Sequence, residues 1–221
     1  MAERETQDAR PLRLLVVGAG AIANALLPRV ARWKWDGITI MDGDRVEEKN
    51  LDRQELFAPV DIGKAKSKVL AAWLRNMPIP VRVSSMDEFL DAKNAGNVIP
   101  LHDVVADCTD DAHVKRLLDR TCGDYGVALV SGSVHGQQAQ VIVLHVEGEG
   151  EGLTRADIFQ GKPGSEQDGC DMRNVPLETL AETGRRMAQL LHAVLHGEPV
   201  GNGRIDLFDG KHWTGIDPPT S

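Results

Sequence analysis

The chain has 221 residues, of which 42% are apolar, enough for one packed α/β domain. The formal net charge of −8 argues against a nucleic-acid binder and a membrane-surface binder, since either would present a basic face. Three widely spaced cysteines with no CxxC pair argue against a disulfide scaffold and a structural zinc site. Residues 1–10 lack the apolar core of a signal peptide, and no apolar run is long enough to span a bilayer. We therefore expect a single domain over residues 1–221 that is soluble and cytoplasmic.

Predicted strands and helices alternate along most of the chain. Short apolar runs predict strands at 13–17, 37–42, 81–83, 103–107, 128–130 and 140–146. Helical patterns cover 21–34, 61–77, 112–122 and 177–195. Residues 204–213 could form a closing hairpin with Asp209 and Gly210 at its turn. This order predicts a Rossmann-like, doubly wound, mostly parallel sheet with helices on both faces.

The alternation breaks between residues 147 and 169. Residues 147–152 alternate Glu and Gly, and residues 161–169 are rich in turn-forming side chains. The composition predicts a mobile loop over 147–169 that carries Cys170 at its end.

A glycine-rich turn follows the first predicted strand. Gly18 and Gly20 stand in a G-x-G-x-x-A pattern, where small residues let the backbone approach a phosphate and the helix N-terminus favours anions. Asp42 ends the second strand, a position that suits a carboxylate binding ribose hydroxyls. Alone, this pattern is generic, and it leaves open a dinucleotide site of an NAD-dependent oxidoreductase.

Charged residues further along favour a triphosphate over a dinucleotide. Arg53 and Lys66 could neutralise a triphosphate, and Asp110, just past a central strand, could hold Mg²⁺. Singly, these residues have simpler interpretations as turn residues, solvated helix charges or helix N-caps. The residues with such an alternative are Asp42, Asp44, Arg53, Lys66, Asp107 and Asp110. Their joint occurrence, in order, favours the nucleotide site.

In this order and spacing the motifs resemble those of the ThiF, MoeB and ubiquitin-activating enzyme superfamily. The family pattern is a Gly-rich loop, an acidic strand end, Asn-x-x-Arg-Gln, Gly-x-x-Lys and Asp-x-x-Asp. The matching residues are Gly18, Gly20, Asp42, Asp44, Asn50, Arg53, Gln54, Gly63, Lys66, Asp107 and Asp110. The resemblance implies an adenylation fold that uses ATP and Mg²⁺. In it Asp42 holds ribose, Asn50 and Arg53 hold phosphate, Lys66 neutralises charge and Asp110 binds the metal.

Cys170 begins a segment that reads Cys-Asp-Met-Arg-Asn-Val-Pro, ahead of the helix predicted from Leu177. A helix start and the nearby Arg173 favour the nucleophilic thiolate. The segment is similar to the catalytic-cysteine segment of ubiquitin-activating enzymes, Cys-Thr-x-x-x-x-Pro, with Asp171 in place of Thr. The alternative is a loop cysteine without a role. Cys108 and Cys122 are expected to be structural.

The resemblance implies a two-step reaction. The C-terminal carboxylate of a ubiquitin-like protein ending in Gly is adenylated, and Cys170 then takes the acyl group as a thioester for transfer to a conjugating enzyme. The chain lacks the zinc pairs of the ThiF and MoeB branches and has no room for the added domains of eukaryotic enzymes. It therefore resembles a minimal bacterial ubiquitin-activating-like enzyme, which implies a homodimer. Two alternatives stay open: adenylation alone, feeding sulfur transfer in cofactor biosynthesis, and a non-catalytic scaffold for a ubiquitin-like protein.

Overall fold

The structure is a computed structural model and describes residues 12–146, 154–158 and 174–217. Its strands are β1 (Leu12–Val17), β2 (Trp35–Met41), β3 (Arg82–Met86), β4 (Val104–Asp107), β5 (Ala128–His135), β6 (Gln138–Leu144), β7 (Ile205–Phe208) and β8 (Trp213–Ile216). Its helices are α1 (Ala21–Val30), α2 (Lys66–Arg75), α3 (Ala95–Val98), α4 (Ala112–Tyr125), α5 (Arg155–Ile158) and α6 (Leu177–Leu195). Short 3-10 turns lie at Glu48–Asn50, Pro59–Asp61 and Ile99–Leu101. In the described parts of the chain, no helix is long and apolar enough to cross a membrane.

The strands form one sheet in the order β3-β2-β1-β4-β5-β6-β7-β8. Strands β1 to β5 pair in parallel, whereas β6, β7 and β8 are added as antiparallel hairpin strands. The direction of winding reverses between β1 and β4, which opens a crevice at the carboxyl ends of these two strands. The predicted Rossmann-like, mostly parallel sheet is confirmed.

Apolar side chains of the central strands are buried on both faces of the sheet. In β1, Leu14 and Val16 pack into the core that includes α1, α2 and α6, whereas Leu15 and Val17 pack into the core that includes α3 and α4. Alternation along a strand sends successive side chains to opposite faces, so a continuous apolar run needs helices on both. The predicted helices on both faces are confirmed.

The helix predicted over 61–77 is shorter than expected, because α2 begins at Lys66. The residues before it pair with the chain after β2: Gly63 N donates to Val46 O at 2.8 Å, and Val46 N donates to Lys64 O at 2.9 Å. Gly63 also has a φ of +86°, which a right-handed helix does not contain. Long-range pairing thus replaces the first turn of the predicted helix.

Elements in the second half of the chain largely match their predictions. Helix α6 has the predicted bounds of 177–195, and the closing hairpin of β7 and β8 turns at Asp209 and Gly210. Helix α4 runs three residues beyond the predicted end and stops at Gly126, whose φ of +63° supplies the left-handed C-cap. Within the predicted loop 147–169 the described residues are 154–158, which include α5, and Cys170 lies outside the described residues.

Candidate functional site

A cavity of 2190 Å³ opens at the carboxyl ends of β1, β2 and β4, where the sheet order reverses. Nine of the predicted site residues line this cavity. They are Gly18, Gly20, Asp42, Asp44, Asn50, Arg53, Gln54, Lys66 and Asp110. The strand topology therefore brings together residues that the sequence spreads over more than ninety positions.

The absence of a side chain has a different structural consequence at each of the two glycines in the turn after β1. Gly18 has a φ of +88°, and a Cβ there would lie 2.9 Å from the carbonyl carbon of Cys108, so the ends of β1 and β4 pack too closely for a side chain. At Gly20 a Cβ would meet no atom within 4 Å. Since Gly20 lines the cavity, its missing side chain leaves space for a ligand next to the start of α1.

Asp42 joins the end of β2 to this glycine turn. Its carboxylate accepts hydrogen bonds from the backbone N–H groups of Ala19 (2.6 Å) and Asp44 (2.7 Å). Burial raises the pKa of Asp42 above its usual range, although both hydrogen bonds act in the opposite direction. Asp42 is thus a buried, oriented carboxylate rather than an ordinary exposed turn residue.

Lys66 is fixed at the cavity wall by Asp44. The Nζ of Lys66 lies 2.8 Å from Oδ2 of Asp44, and the backbone N–H of Lys66 donates to the Asp44 carbonyl at 3.0 Å. The Lys66 side chain is 9% exposed, whereas the Asp44 side chain is 54% exposed. The interpretation of Lys66 as a solvated helix charge is therefore wrong.

Asn50, Arg53 and Gln54 belong to a compact turn before α2. Asn50 Oδ1 accepts from the backbone N–H of Glu47 at 2.9 Å, and the Asn50 carbonyl accepts from Arg53 N and Gln54 N. Within the described residues, Arg53 Nε and Gln54 Oε1 are the buried side-chain atoms that have no hydrogen-bond partner. Leaving such atoms unsatisfied costs about 1–3 kcal/mol each, and both residues line the cavity, so a polar ligand or water that reaches the two atoms would offset this cost.

Asp107 is fully buried and, unlike the nine residues above, does not belong to the described cavity lining. Its carboxylate accepts from Thr109 Oγ1 at 2.7 Å, Ser131 Oγ at 2.6 Å and Lys115 Nζ at 2.9 Å. Burial pushes the pKa of Asp107 upward, but the Lys115 ammonium and the hydrogen bonds outweigh it and hold this pKa below its usual range. Asp107 thus organises the segment that leads to Asp110.

The alternative of Asp107 or Asp110 as a helix N-cap is wrong, because Asp111 fills that position. The Asp111 carboxylate accepts from the backbone N–H groups of His113 and Val114 at the start of α4. Asp110 is instead exposed at the cavity rim.

The residues around Asp110 fit a magnesium ion that is shared with a nucleotide. The described residues contain no group of three or more His, Cys, Asp or Glu side chains that could hold a metal by themselves. Mg²⁺ keeps several waters and is usually bound by one or two carboxylates together with substrate phosphates, so a single rim carboxylate suits it.

The far side of the cavity contains residues that the sequence analysis did not select. Asp119 in α4 accepts from the His145 ring at 2.9 Å through Oδ1 and from the backbone N–H of Arg155 at 2.9 Å through Oδ2. His145 and Arg155 flank residues 147–153, so one carboxylate ties together both sides of that segment. Arg155 lines the cavity, and its Nη1 lies 3.4 Å from Ser131 Oγ.

The two described cysteines are buried and unpaired. Burial raises the pKa of the Cys108 thiol and of the Cys122 thiol, so their nucleophilic thiolate forms are disfavoured. Both therefore suit the structural roles predicted for them.

A profile of the ThiF family matches residues 1–216. The chain is 30% identical over 136 residues to the SAMP-activating enzyme E1 of Haloferax volcanii, covering 62% of this chain and 50% of the relative. It is 33% identical over 141 residues to the adenylyltransferase and sulfurtransferase UBA4 of Yarrowia lipolytica, covering 64% of this chain and 35% of the relative. It is 29% identical over 135 residues to the molybdopterin-synthase adenylyltransferase of Haemophilus influenzae, covering 61% of this chain and 56% of the relative. The matches thus span about a third to just over half of each relative's length.

Solved structures share the fold. Escherichia coli MccB with ATP superposes with a TM-score of 0.78 at 16% identity, covering 96% of this chain and 65% of that chain. PaaA superposes with a TM-score of 0.75 at 14% identity, covering 95% of this chain and 64% of the PaaA chain. At these identities the likeness establishes the fold, that is, the architecture of the sheet and helices.

Proposed function

The chain is a member of the ThiF family, and on that basis we propose that it is an ATP-dependent adenylyltransferase acting on the C-terminal carboxylate of a ubiquitin-like protein. The observation that carries this proposal is that Arg53 and Gln54, each with an unsatisfied buried side-chain atom, line the same cavity as the buried Lys66. A protein folds around such atoms at a cost, which a ligand with donor and acceptor groups would offset. The names of the relatives, which include adenylyltransferases and an activating enzyme, support the same activity.

In the proposed reaction a substrate carboxylate oxygen attacks the α-phosphorus of ATP. The bond to pyrophosphate breaks, and an acyl-adenylate forms. A carboxylate needs no general base, so the site has to align the reactants and stabilise charge. Asp110 would hold Mg²⁺ at the cavity rim, and that ion would supply charge neutralisation for the phosphates.

Four polar residues of the nucleotide end have a proposed task. The Asp42 carboxylate accepts from ribose hydroxyls while it keeps its bonds to Ala19 and Asp44. The Arg53 guanidinium donates to a phosphate oxygen, and Lys66 supplies a fixed positive charge in the same cavity. The Asn50 amide supplies a further donor, because only its oxygen is used within the turn.

The size of the cavity supports a second, extended substrate beside the nucleotide. Small-molecule sites usually occupy about 300–1,000 Å³, and this cavity is larger at 2190 Å³. Its lining also includes His135 and Gln138, at the turn between β5 and β6, and Arg155. We propose that the chain end of the ubiquitin-like protein lies there, with its carboxylate directed at the α-phosphate.

We further propose that Cys170 completes the reaction as the nucleophile of a second step. Its thiolate attacks the acyl carbon, a carbon–sulfur bond forms, and AMP leaves. The segment around Cys170 leads directly into Val175, which is buried in the core, and then into α6. A conjugating-type enzyme as acceptor and a homodimer belong to this proposal.

The second candidate function is adenylation alone, feeding sulfur transfer. A relative described as both an adenylyltransferase and a sulfurtransferase favours it. Under this function Cys170 is dispensable for pyrophosphate release. A non-catalytic scaffold is the least favoured, because docking a partner does not require unsatisfied polar atoms in a cavity wall.

The test combines the protein with Mg·ATP and ubiquitin-like proteins encoded by neighbouring genes. We expect partner-dependent pyrophosphate release and a thiol-sensitive adduct on a non-reducing gel. The adduct should be lost in Cys170→Ala and in Lys66→Ala but kept in Lys68→Ala, whose side chain is exposed. Pyrophosphate release that is unchanged in Cys170→Ala, with no adduct, would leave adenylation and remove the thioester step. No release with any partner would contradict the proposed enzyme.

A further inference from the structure

Phe89 is a large apolar side chain that the fold leaves exposed inside the candidate nucleotide cavity. Eight large apolar side chains are exposed within the described residues, and two of them, Phe89 and Leu207, line the cavity. Phe89 is 62% exposed and lies at the end occupied by Met41 and Asp42, next to the carboxylate proposed to hold ribose.

The sheet register places Phe89 beside the end of β2. Met41 of β2 pairs with Met86 of β3, and Asp42 N donates to the Met86 carbonyl at 3.1 Å. The Phe89 ring then packs against the backbone of Gly43: a Cβ at Gly43 would lie 2.6 Å from Cδ2 and 2.7 Å from Cε2 of that ring. The missing side chain at Gly43 is therefore what lets the ring lie over the backbone.

The backbone that carries this ring is held in place. The side-chain amide of Asn94 donates to the Phe89 carbonyl at 2.9 Å, and its oxygen accepts from Asp91 N at 2.9 Å. The next residue, Leu90, is 4% exposed and anchors the segment in the core. One side of the ring thus packs against the backbone of Gly43, and the ring is exposed to the cavity.

We propose that Phe89 is the platform on which the nucleobase stacks, an inference that rests on the nucleotide site proposed above. If Asp42 holds the ribose and Arg53 and Lys66 hold the phosphates, the glycosidic bond directs the base away from the phosphate end. Phe89 is the exposed ring at that end. Aromatic stacking adds affinity and accepts any base, because every base has a π-face. Phe89 therefore supplies affinity for the nucleotide rather than selection among bases.

The experiment measures binding of Mg·ATP and of inorganic tripolyphosphate by calorimetry. For Phe89→Ala we expect ATP to bind about 10- to 100-fold more weakly and tripolyphosphate to bind as in the wild type, since only ATP has a base. Phe89→Trp should stay within about three-fold of the wild type for ATP, because it keeps an aromatic face. Leu101→Ala is the matched control, with a side chain that is 60% exposed but lies off the cavity, and it should bind both ligands normally.

A second variant tests the same contact without removing the ring. Gly43→Ala should push the Phe89 ring out of place and weaken ATP binding, whereas adding Gly43→Ala to Phe89→Ala should have no further effect on ATP binding. Equal ATP affinity in the wild type and Phe89→Ala would overturn the stacking role and leave the nucleotide site intact. Failure of the wild-type protein to bind either ligand would overturn the proposed function together with this inference.

Discussion

Lys115 Nζ lies 2.9 Å from Asp107 Oδ2, and both side chains are buried at the carboxyl end of β4. The same ammonium donates to the Gly132 carbonyl at 2.7 Å. One cation, itself part of the cavity lining, therefore ties α4 to β4 and β5. The segment that contains Asp110 connects Asp107 to α4. Its position therefore depends on the ion pair between Lys115 and Asp107.

We predict that Lys115→Met destabilises the protein by about 3–5 kcal/mol, because it leaves the Asp107 carboxylate buried without its cation. Urea unfolding of the variant and the wild type measures the loss. The double variant Asp107→Leu with Lys115→Met removes both charges and should recover part of the stability. A single variant as stable as the wild type would show that the pair has no structural role.

The contribution of Asp107 to the free energy of unfolding should change with pH in opposite directions in Lys115→Met and in the wild type. In the wild type the pKa of Asp107 is lowered, so its contribution to stability is present above the unfolded-state pKa and is lost only as pH falls through the lower folded-state pKa. Without Lys115, burial is uncompensated and should raise this pKa above the unfolded value. The free energy of unfolding of Lys115→Met should then decrease as pH rises from about 4 to 8. A profile parallel to that of the wild type would contradict this explanation.

We predict that Lys66→Ala lowers the rate of ATP–pyrophosphate exchange about 10²- to 10³-fold, as expected for removal of one fixed charge that stabilises a transition state. Lys68→Ala is the matched control two residues along α2. Its side chain is 63% exposed and pairs with Asp87 at 2.9 Å, away from the cavity. Loss of exchange in both variants would indicate damage to α2, and loss in neither would exclude Lys66 from the reaction.

Nine of the residues selected from the sequence line one cavity, because they follow strand ends or lie in short turns. Parallel strands bring their carboxyl ends to one edge, so Asp42 and Asp110 meet there whatever the connecting helices do. The sequence did not predict the partners that depend on packing. Asp119 and Arg155 are 36 positions apart and meet through tertiary structure alone. Lys115 had a weak signal, since it shares the buried side of α4 with Leu118.

The local sequence pattern also did not predict where α2 begins, because the start of this helix depends on long-range contacts. Residues 61–65 belong to the helix predicted from the sequence, yet Ala65 at the end of this segment forms an isolated β-bridge with Arg45. That pairing also sets the backbone bond from Lys66 to Asp44, which positions the Lys66 ammonium. The position of Lys66 thus involves a long-range interaction that helix propensity does not contain.

Substitutions of the two glycines after β1 should separate folding from binding. We predict that Gly18→Ala destabilises the protein, because its φ of +88° and the 2.9 Å approach to Cys108 both exclude a side chain. Gly20→Ala should fold normally, since its φ is −82° and a Cβ meets no atom, but it should weaken ATP binding by filling the phosphate space. Thermal unfolding and ATP calorimetry measure the two effects. Normal ATP binding by Gly20→Ala would place the phosphates elsewhere.

Asp42 should make ribose binding depend on pH. Because its pKa is raised by burial, Asp42 becomes protonated at a higher pH than an ordinary aspartate and then accepts less strongly from ribose hydroxyls. We predict that ATP affinity falls as pH is lowered from neutrality towards the raised pKa of Asp42.

Comparison with 2′,3′-dideoxy-ATP isolates this effect, because the phosphates of both nucleotides titrate alike and cancel. At neutral pH the wild type should prefer ATP, and this preference should shrink towards low pH. In Asp42→Asn the preference should be small at every pH, since an amide does not titrate in this range and accepts less strongly than a carboxylate. A wild-type preference that is constant with pH, or one retained in Asp42→Asn, would assign the ribose hydroxyls to another group and leave Asp42 with its backbone bonds to Ala19 and Asp44 as its whole role.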